Sequence, residues 1–537
     1  MPTSLTIHLV NTSPTPHIPI HAYITGLAIP SMARVFIQSD GRTTYFPPSP
    51  PPGKILQPFP VDCAIPVPPG PHPTVVTIPR IAGGRIWFCQ GDKKLKFMLN
   101  PGGPGGGAAL VEPSVLNPSD PNRDVDFAFC EFTLNDHQLF ANISYVDFVP
   151  RLPIALTLVE KGTRRLQHVS GMRPDGLERI AQGLRDQAAR DGWPWDKLVV
   201  HRPGMDRPLR VLAPTHGDAV GAKFDGYFEP LVDRVWERYC HFGKPCNGGH
   251  GAVFNADKPP GPPPGPRPGD APGDRPPGPP PGPRPGDGPN GAPPRFGLRH
   301  VLQKFHGHHH HGHNGHAAAP QQPYYYPGQQ QPYYYPGQQP YTPAPPPPPP
   351  QAEHQTHHLR INTQAAPGIL TGHIPNLPSD PLLVGSEPFH RPTTADIFGC
   401  NSGPFTTGPN AVRNAIIPRL AAAFQRSSII DCEDQPSDVE TFYRWHVDGR
   451  PTNHYARVVH EWNADGKGYA FAYDDVQKDG GRDQSGKVEG GQVEVWVVEV
   501  GGGNIWVGYM GRVSLTMEHA MSLKVECQKR QTEARTV

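Results

Sequence analysis

Two carboxylates, Glu131 and Asp147, stand sixteen positions apart in the strand-rich stretch FCEFTLNDHQLFANISYVDFV, Phe129 to Val149. Acidic side chains cost free energy among Phe, Val and Ile unless they are paired, and here they fall on a two-residue alternation. Val125, Phe127, Phe129, Glu131, Thr133 and Asn135 share one strand face; Ala141, Ile143, Tyr145, Asp147 and Val149 share another. A hairpin with an odd number of loop residues puts both carboxyls on the same side of the sheet. A two-residue loop at Asp136-His137 sends them to opposite sides. On one side, two carboxyls are the minimum equipment for acid/base cleavage of a glycosidic bond. The acid of such a pair needs a raised pKa, for which Phe129 and Phe132 are the expected apolar wall and Asp147 the expected like charge. An inverting geometry requires the two carboxyls to lie roughly 6.5–9.5 Å apart, leaving room for a water.

The elements that must position this pair read as all-β from residue 1 to about 160. Short runs at Leu5–Val10, Ala22–Leu27, Ala33–Gln38, Thr74–Ile78, Gly84–Cys89 and Leu95–Leu99 are punctuated by Pro, Gly, Asn and Asp, as in a sandwich or barrel. Helical spacing follows at Leu177, Ile180, Ala181, Leu184 and Ala188, with Gly192 as a stop, and again at Phe228, Leu231, Val232, Val235, Trp236 and Tyr239. A third stripe, Val412, Ile416, Leu420 and Phe424, is kinked or restarted at Pro418. Strands are expected again at Gly468–Tyr473, Gln492–Val500 and Asn504–Met517, closing the sheet that the chain began.

Composition bounds the rest. The 537 residues allow two to four domains, and a net charge of +1 leaves no polycation for nucleic acid. The 74 prolines and 59 glycines are concentrated between Lys258 and His357, where PPGPPPGPRPGD and QPYYYPGQ each occur twice. Glycine is not at every third position, so this is no collagen; with few large aliphatics the segment is expected to be disordered or polyproline-like. Its histidine tract, His306 to His316, offers no fixed metal geometry. Eight cysteines contain no CxxC pair, which argues against zinc. Cys240 with Cys246 and Cys400 with Cys432 are either small disulfide loops or free thiols. Asn11 and Asn142 open formal glycosylation sequons, and a glycan on Asn142 would obstruct a neighbouring groove. No basic and apolar leader and no run of 18 apolar residues is visible, so neither a cleaved signal nor a membrane span is expected, and the export route is open.

The stretch FCEFTLNDHQLFANISYVDFV resembles glycoside hydrolase family 64, the β-1,3-glucanases with a thaumatin-like β-domain. The similarity extends to KLKFMLNPGG, NPSDPN, ADIFGCNSGPF, TNHYARVVHEW and GYAFAYDDV, in order and on both sides of the Pro-rich segment. The resemblance implies a mainly β fold with an α/β part, a thaumatin-like barrel or sandwich packed against a mixed α/β domain. The β-domain would occupy residues 1–160 and regain strands from 446–537; the α/β domain would comprise 161–257 and 376–445, and the insertion 258–357. It implies endo-cleavage of β-1,3-glucan into short oligosaccharides with inversion, Glu131 acting as acid and Asp147 as base. Thr133, Asn135, Asp474 and Asp475 would hold sugar hydroxyls. No cofactor and no metal are implied, and the expected partner is the polysaccharide, met by a monomer; its location is left open, outside the cell or at a cell wall as the substrate suggests, with the cytoplasm as the alternative. The rival expectations are a thaumatin-like glucan-binding protein without catalysis and an interaction scaffold built on the Pro- and Tyr-rich segment.

Overall fold

The computed structural model describes residues 4–70, 72–239, 359–361, 370–373, 388–478, 484–489 and 493–502. The Pro-rich segment with its histidine tract, the Cys240–Cys246 pair, Cys527 and the expected strand Asn504–Met517 lie outside the described residues.

Alternation builds two large sheets. One carries, in spatial order, Ser485–Glu489, Gln138–Ile143, Asp126–Leu134, Ile81–Gln90, Ile20–Ala28, Ala33–Ile37 and Thr44–Tyr45, with Ile65–Pro66 also paired to Ile20–Ala28. The other runs Leu166–Val169, Ile154–Glu160, Val493–Val500, Ser4–Asn11 and Thr74–Pro79. Among the described strands of these two sheets the ladders are antiparallel except one: Ser4–Asn11 runs parallel to Val493–Val500, with Ile7 opposite Trp496. The segment Gly468–Tyr473, read from sequence as a strand, is a turn-rich loop instead. It touches the sheets through an isolated bridge between Tyr469 and Ser144.

Every second side chain on the two sheets points into the space between them. Ile7, Leu9, Ile86, Phe132, Leu134, Leu156, Leu158, Trp496 and Val498 form one buried cluster there, each contributing about 1.5–3 kcal/mol by leaving water. Phe132 meets Trp496 edge-on at 5.3 Å between ring centroids. Its ring lies over Gly84, directly opposite on the neighbouring strand, where any side chain would collide with it. Cys130 has the same parity and is fully buried in this core.

Residues of the other parity face outward from the larger sheet and are covered by a second, aromatic cluster: Tyr23, Phe36, Trp87, Phe97, Phe127, Phe129 and Phe148. Phe148 arrives from a small separate sheet formed by Phe148–Pro150, Pro208–Leu212 and Val199–His201. Arg210 of that sheet lies over the Phe127 and Phe148 rings and donates to the Val125 carbonyl.

Helices complete the fold where apolar residues recur every three to four positions. Gly176–Asp191 ends on left-handed Gly192, whose N–H bonds back to the Ala188 carbonyl. Glu229–Tyr239 and Ala411–Gln425 follow, the latter carrying Pro418 inside it and capped by the Asn410 side chain. His454–Trp462 starts at Asn453, whose side chain accepts from the Ala456 amide. Among the described residues no helix is long and apolar enough to cross a membrane. Cys400 and Cys432 are both free thiols; the buried Cys400 donates to the Ile397 carbonyl.

Candidate active site

Glu131 lies in the middle of Asp126–Leu134, flanked in register by Arg85 on one side and Asn142 on the other. It therefore points outward, with Phe127 and Phe129, toward the aromatic layer. Phe129 supplies part of the apolar wall expected from sequence, but Phe132 does not, because alternation turns it to the opposite face of the sheet. Trp87 takes that place indirectly. The Arg85 guanidinium lies 4.7 Å from the Phe129 ring and 5.4 Å from the Trp87 ring.

The hairpin that follows corrects the sequence reading. Leu134 pairs with Leu139, and the Asn135 N–H donates to the Gln138 carbonyl, so the loop is the two-residue Asp136-His137. Counting along that register alone would put Asp147 on the face away from Glu131. The chain breaks from the sheet first. After Ile143 it exchanges backbone hydrogen bonds with Tyr469, and the helix His454–Trp462 sends the Tyr455 hydroxyl to the Tyr145 carbonyl. Phe148–Pro150 then belongs to the small outer sheet. Asp147 is delivered at this crossing, with its own carbonyl accepting from the Ala213 amide.

The outcome is a compact charge cluster. Arg85 donates through Nε (3.1 Å) and Nη2 (3.0 Å) to Glu131 Oε1, and through Nη1 to Glu112. His216, in the short helical turn Pro214–Val220, places Nε2 2.9 Å from Asp147 Oδ1. Burial pushes the Glu131 carboxyl above the ordinary carboxylate range; Arg85 opposes that shift, while the negative charges of Asp147 and Glu112 reinforce it. Burial works against the charge on Arg85 too, but Glu112, Glu131 and Asp147 outweigh it and hold the guanidinium protonated. Both N–H bonds fall on Oε1, which leaves Oε2 without a bond from Arg85.

The remaining residues singled out by sequence fall in different places. Thr133 is half-buried on the outer face beside Glu131, its hydroxyl near the Gly83 amide. Asn135 shapes the hairpin turn, Oδ1 accepting from the His137 (2.8 Å) and Gln138 (2.9 Å) amides. Asp475 is exposed. Asp474 does not line a groove: it is 1% exposed, with its carboxylate taken by Arg426 (3.0 Å), His460 (2.9 Å) and the Ala470 amide (2.8 Å). Burial alone would raise its pKa, but these partners hold it below the usual value. Arg85, Glu112 and His216 were missed from sequence, since only strand register and the path after Ile143 bring them to the carboxyls. Among the described residues no group of three or more His, Cys, Asp or Glu could hold a metal ion.

A half-buried carboxyl with a raised pKa, electrostatically coupled to a second carboxylate on the outer face of a β-sandwich, is equipment for acid/base chemistry. The chain belongs to the Beta-1,3-glucanase family, glycoside hydrolase family 64, which it matches over residues 3–242 and 352–500. A glucan endo-1,3-beta-glucosidase of Cellulosimicrobium cellulans is 31% identical over 164 residues, 30% of this chain and 27% of its own length. The aligned part thus spans about a quarter of that relative. In fold the chain is similar to the crystal structure of a laminaripentaose-producing β-1,3-glucanase in complex with laminaritetraose. The TM-score is 0.60 at 23% identity, covering 93% of this chain and 99% of the other. A β-1,3-glucanase domain from Clostridium beijerinckii gives 0.52 at 15% identity, covering 93% and 98%.

Proposed function

We propose that the protein is an endo-acting glycoside hydrolase that cleaves β-1,3-glucan by an inverting acid/base mechanism and releases short oligosaccharides. The observation that carries this reading is the gathering of Glu131 and the His216-bound Asp147 in one charge cluster around Arg85, where burial and the charge of Asp147 push the Glu131 pKa up against the pull of Arg85. Glu131 gives its proton to the glycosidic oxygen as the bond to C1 breaks. Asp147, oriented by His216, takes a proton from a water that adds to C1 from the opposite face. No covalent sugar–enzyme bond forms, and the product emerges with inverted anomeric configuration. Thr133, Asn135 and the exposed Asp475 are taken as partners for glucose hydroxyls, while Asp474 acts inside the protein as an anchor for the loop that carries Asp475.

We read the sandwich as the family's thaumatin-like β-domain, begun by residues 1–160 and completed from 446 on, and the helical regions as its α/β partner. On the same reading the protein works as a monomer on the polysaccharide, away from nucleic acid and membranes. A non-catalytic glucan-binding role has one observation in its favour, the Arg85–Glu131 ion pair, which could silence the acid. Laminarin decides between the two. Glu131→Gln and Asp147→Asn should each lower kcat by about 10²–10⁴ with fold intact, the typical contribution of a positioned acid or base. Early products should carry the inverted configuration. Full turnover in either variant rejects the assignment, and retention on insoluble glucan without new reducing ends in the unmodified protein favours the binding role.

A further inference from the structure

A straight row of polar side chains crosses five strands of the larger sheet at the level of Glu131. Thr25 pairs with Arg85, Arg85 with Glu131, Glu131 with Asn142, and Asn142 with Ser485. Directly opposed residues of an antiparallel ladder share a face, with Cβ atoms about 4.5–5.5 Å apart. The other members of the row are engaged. Thr25 accepts from Trp87 Nε1 at 3.1 Å, Arg85 and Glu131 bond each other, and Ser485 also has a partner. Asn142 differs. It is 9% exposed, and its Oδ1 is buried without a hydrogen-bond partner. A buried carboxamide oxygen without a donor keeps its desolvation cost unrelieved, so native proteins seldom leave one so unless something else fills the place.

We infer that Asn142 is a sugar-contacting residue whose carboxamide hydrogen-bonds a glucose hydroxyl of the unit next to the bond being cleaved. The inference rests on the proposed β-1,3-glucanase reading and deepens it. Position argues for it, because Asn142 is the in-register neighbour of Glu131, so a donor beside Oδ1 lies within one side chain of the acid. Chemistry argues for a neutral hydroxyl. The Arg85 guanidinium disfavours a cation in this cluster, and the carboxylates Glu112 and Asp147 disfavour an anion. Turning the amide by half a rotation would place its NH₂ in the same spot, and a hydroxyl would serve it equally well as acceptor.

The test uses the full chain and a β-1,3-linked glucose hexamer. In the Glu131→Gln background, adding Asn142→Ala should weaken binding of the hexamer about tenfold, measured by calorimetry, with the melting temperature little changed. In the active protein the same change should raise KM on laminarin. Asn142→Asp, of the same shape but charged, should instead shift the alkaline limb of the pH profile upward by adding a negative charge beside Glu131. Should Asn142→Ala fail to fold, Asn142→Ser carries the comparison. Unchanged affinity and KM in a folded variant overturn the inference while leaving the hydrolase reading in place. Failure of the unmodified protein to cut laminarin, with no binding of the hexamer, overturns both.

Discussion

Replacing Arg85 with Met removes a positive charge from beside Glu131 while keeping an apolar chain over Phe129 and Trp87. Arg85 is the largest influence holding the Glu131 carboxyl down against burial, so its loss must raise the acid's pKa further. Two unit charges about 4 Å apart interact by about 4 kcal/mol at the effective dielectric of about 20 that suits protein sites. Observed shifts from a close opposite charge amount to roughly 1–3 pKa units, at about 1.36 kcal/mol per unit. In a bell-shaped profile of kcat/KM the alkaline limb reports the acid that must stay protonated. The assay is therefore laminarin hydrolysis across pH, native against Arg85→Met. The alkaline limb should move up by about 1–3 units, with the acidic limb as internal reference. Stability should change with a definite sign as well. A carboxyl whose folded pKa is raised binds its proton more tightly folded than unfolded, so the variant loses stability as pH climbs from the unfolded value toward the folded one. The penalty should be smallest in acid and fully developed once Glu131 ionises. An alkaline limb that stays put, or moves down, refutes both the restraining role of Arg85 and the identity of Glu131 as the acid.

Two further outcomes follow from the same contacts. His216→Gln breaks the 2.9 Å bond that orients Asp147; because small misplacements of a catalytic group cost up to about a hundredfold, kcat on laminarin should fall between about tenfold and a hundredfold with KM little altered, and an unchanged kcat would count against His216 as a positioning residue. Asp474→Asn leaves Arg426, 2% exposed, without its counter-charge, which should cost about 3–5 kcal/mol and lower the melting temperature by several degrees at pH 7. Because the folded pKa of Asp474 is held low, the carboxylate stabilises above its unfolded value and loses that effect as pH falls through the folded one, so the gap between native protein and variant should close in acid; equal melting temperatures at neutral pH would contradict the anchoring role.

What could be read from the chain follows from how local each signal is. The stripe Leu177, Ile180, Ala181, Leu184 is buried on one helix because a 3.6-residue period needs no knowledge of distant partners. Alternation likewise sorts Cys130 and Phe132 inward and Phe127, Phe129 and Glu131 outward, since strand parity is a property of the strand itself. The coupling of Glu131 to Asp147 is of another kind. Sequence offered hairpin parity as the criterion, and by that criterion the observed two-residue loop would have separated them. What brings them together is the departure of the chain from the sheet after Ile143, enforced by Tyr469 and Tyr455 from more than three hundred positions away. Arg85 and His216 are 46 and 69 positions from the carboxyls they hold, so no local pattern announces them. Asp474 shows the same limit from the other side, because an Asp-Asp pair after an expected strand looks like a polar rim until Arg426 and His460 are seen to enclose the first of the two. The register of Asp126–Leu134 and Gln138–Ile143 thus fixes Arg85, Glu131 and Asn142 together, whereas Asp147 depends on the five residues Ile143 to Asp147 and the loop packed against them. Glu131 is set by the sheet and Asp147 by its edge, so a change of length between Ile143 and Phe148 would part the two carboxyls while leaving the hairpin whole.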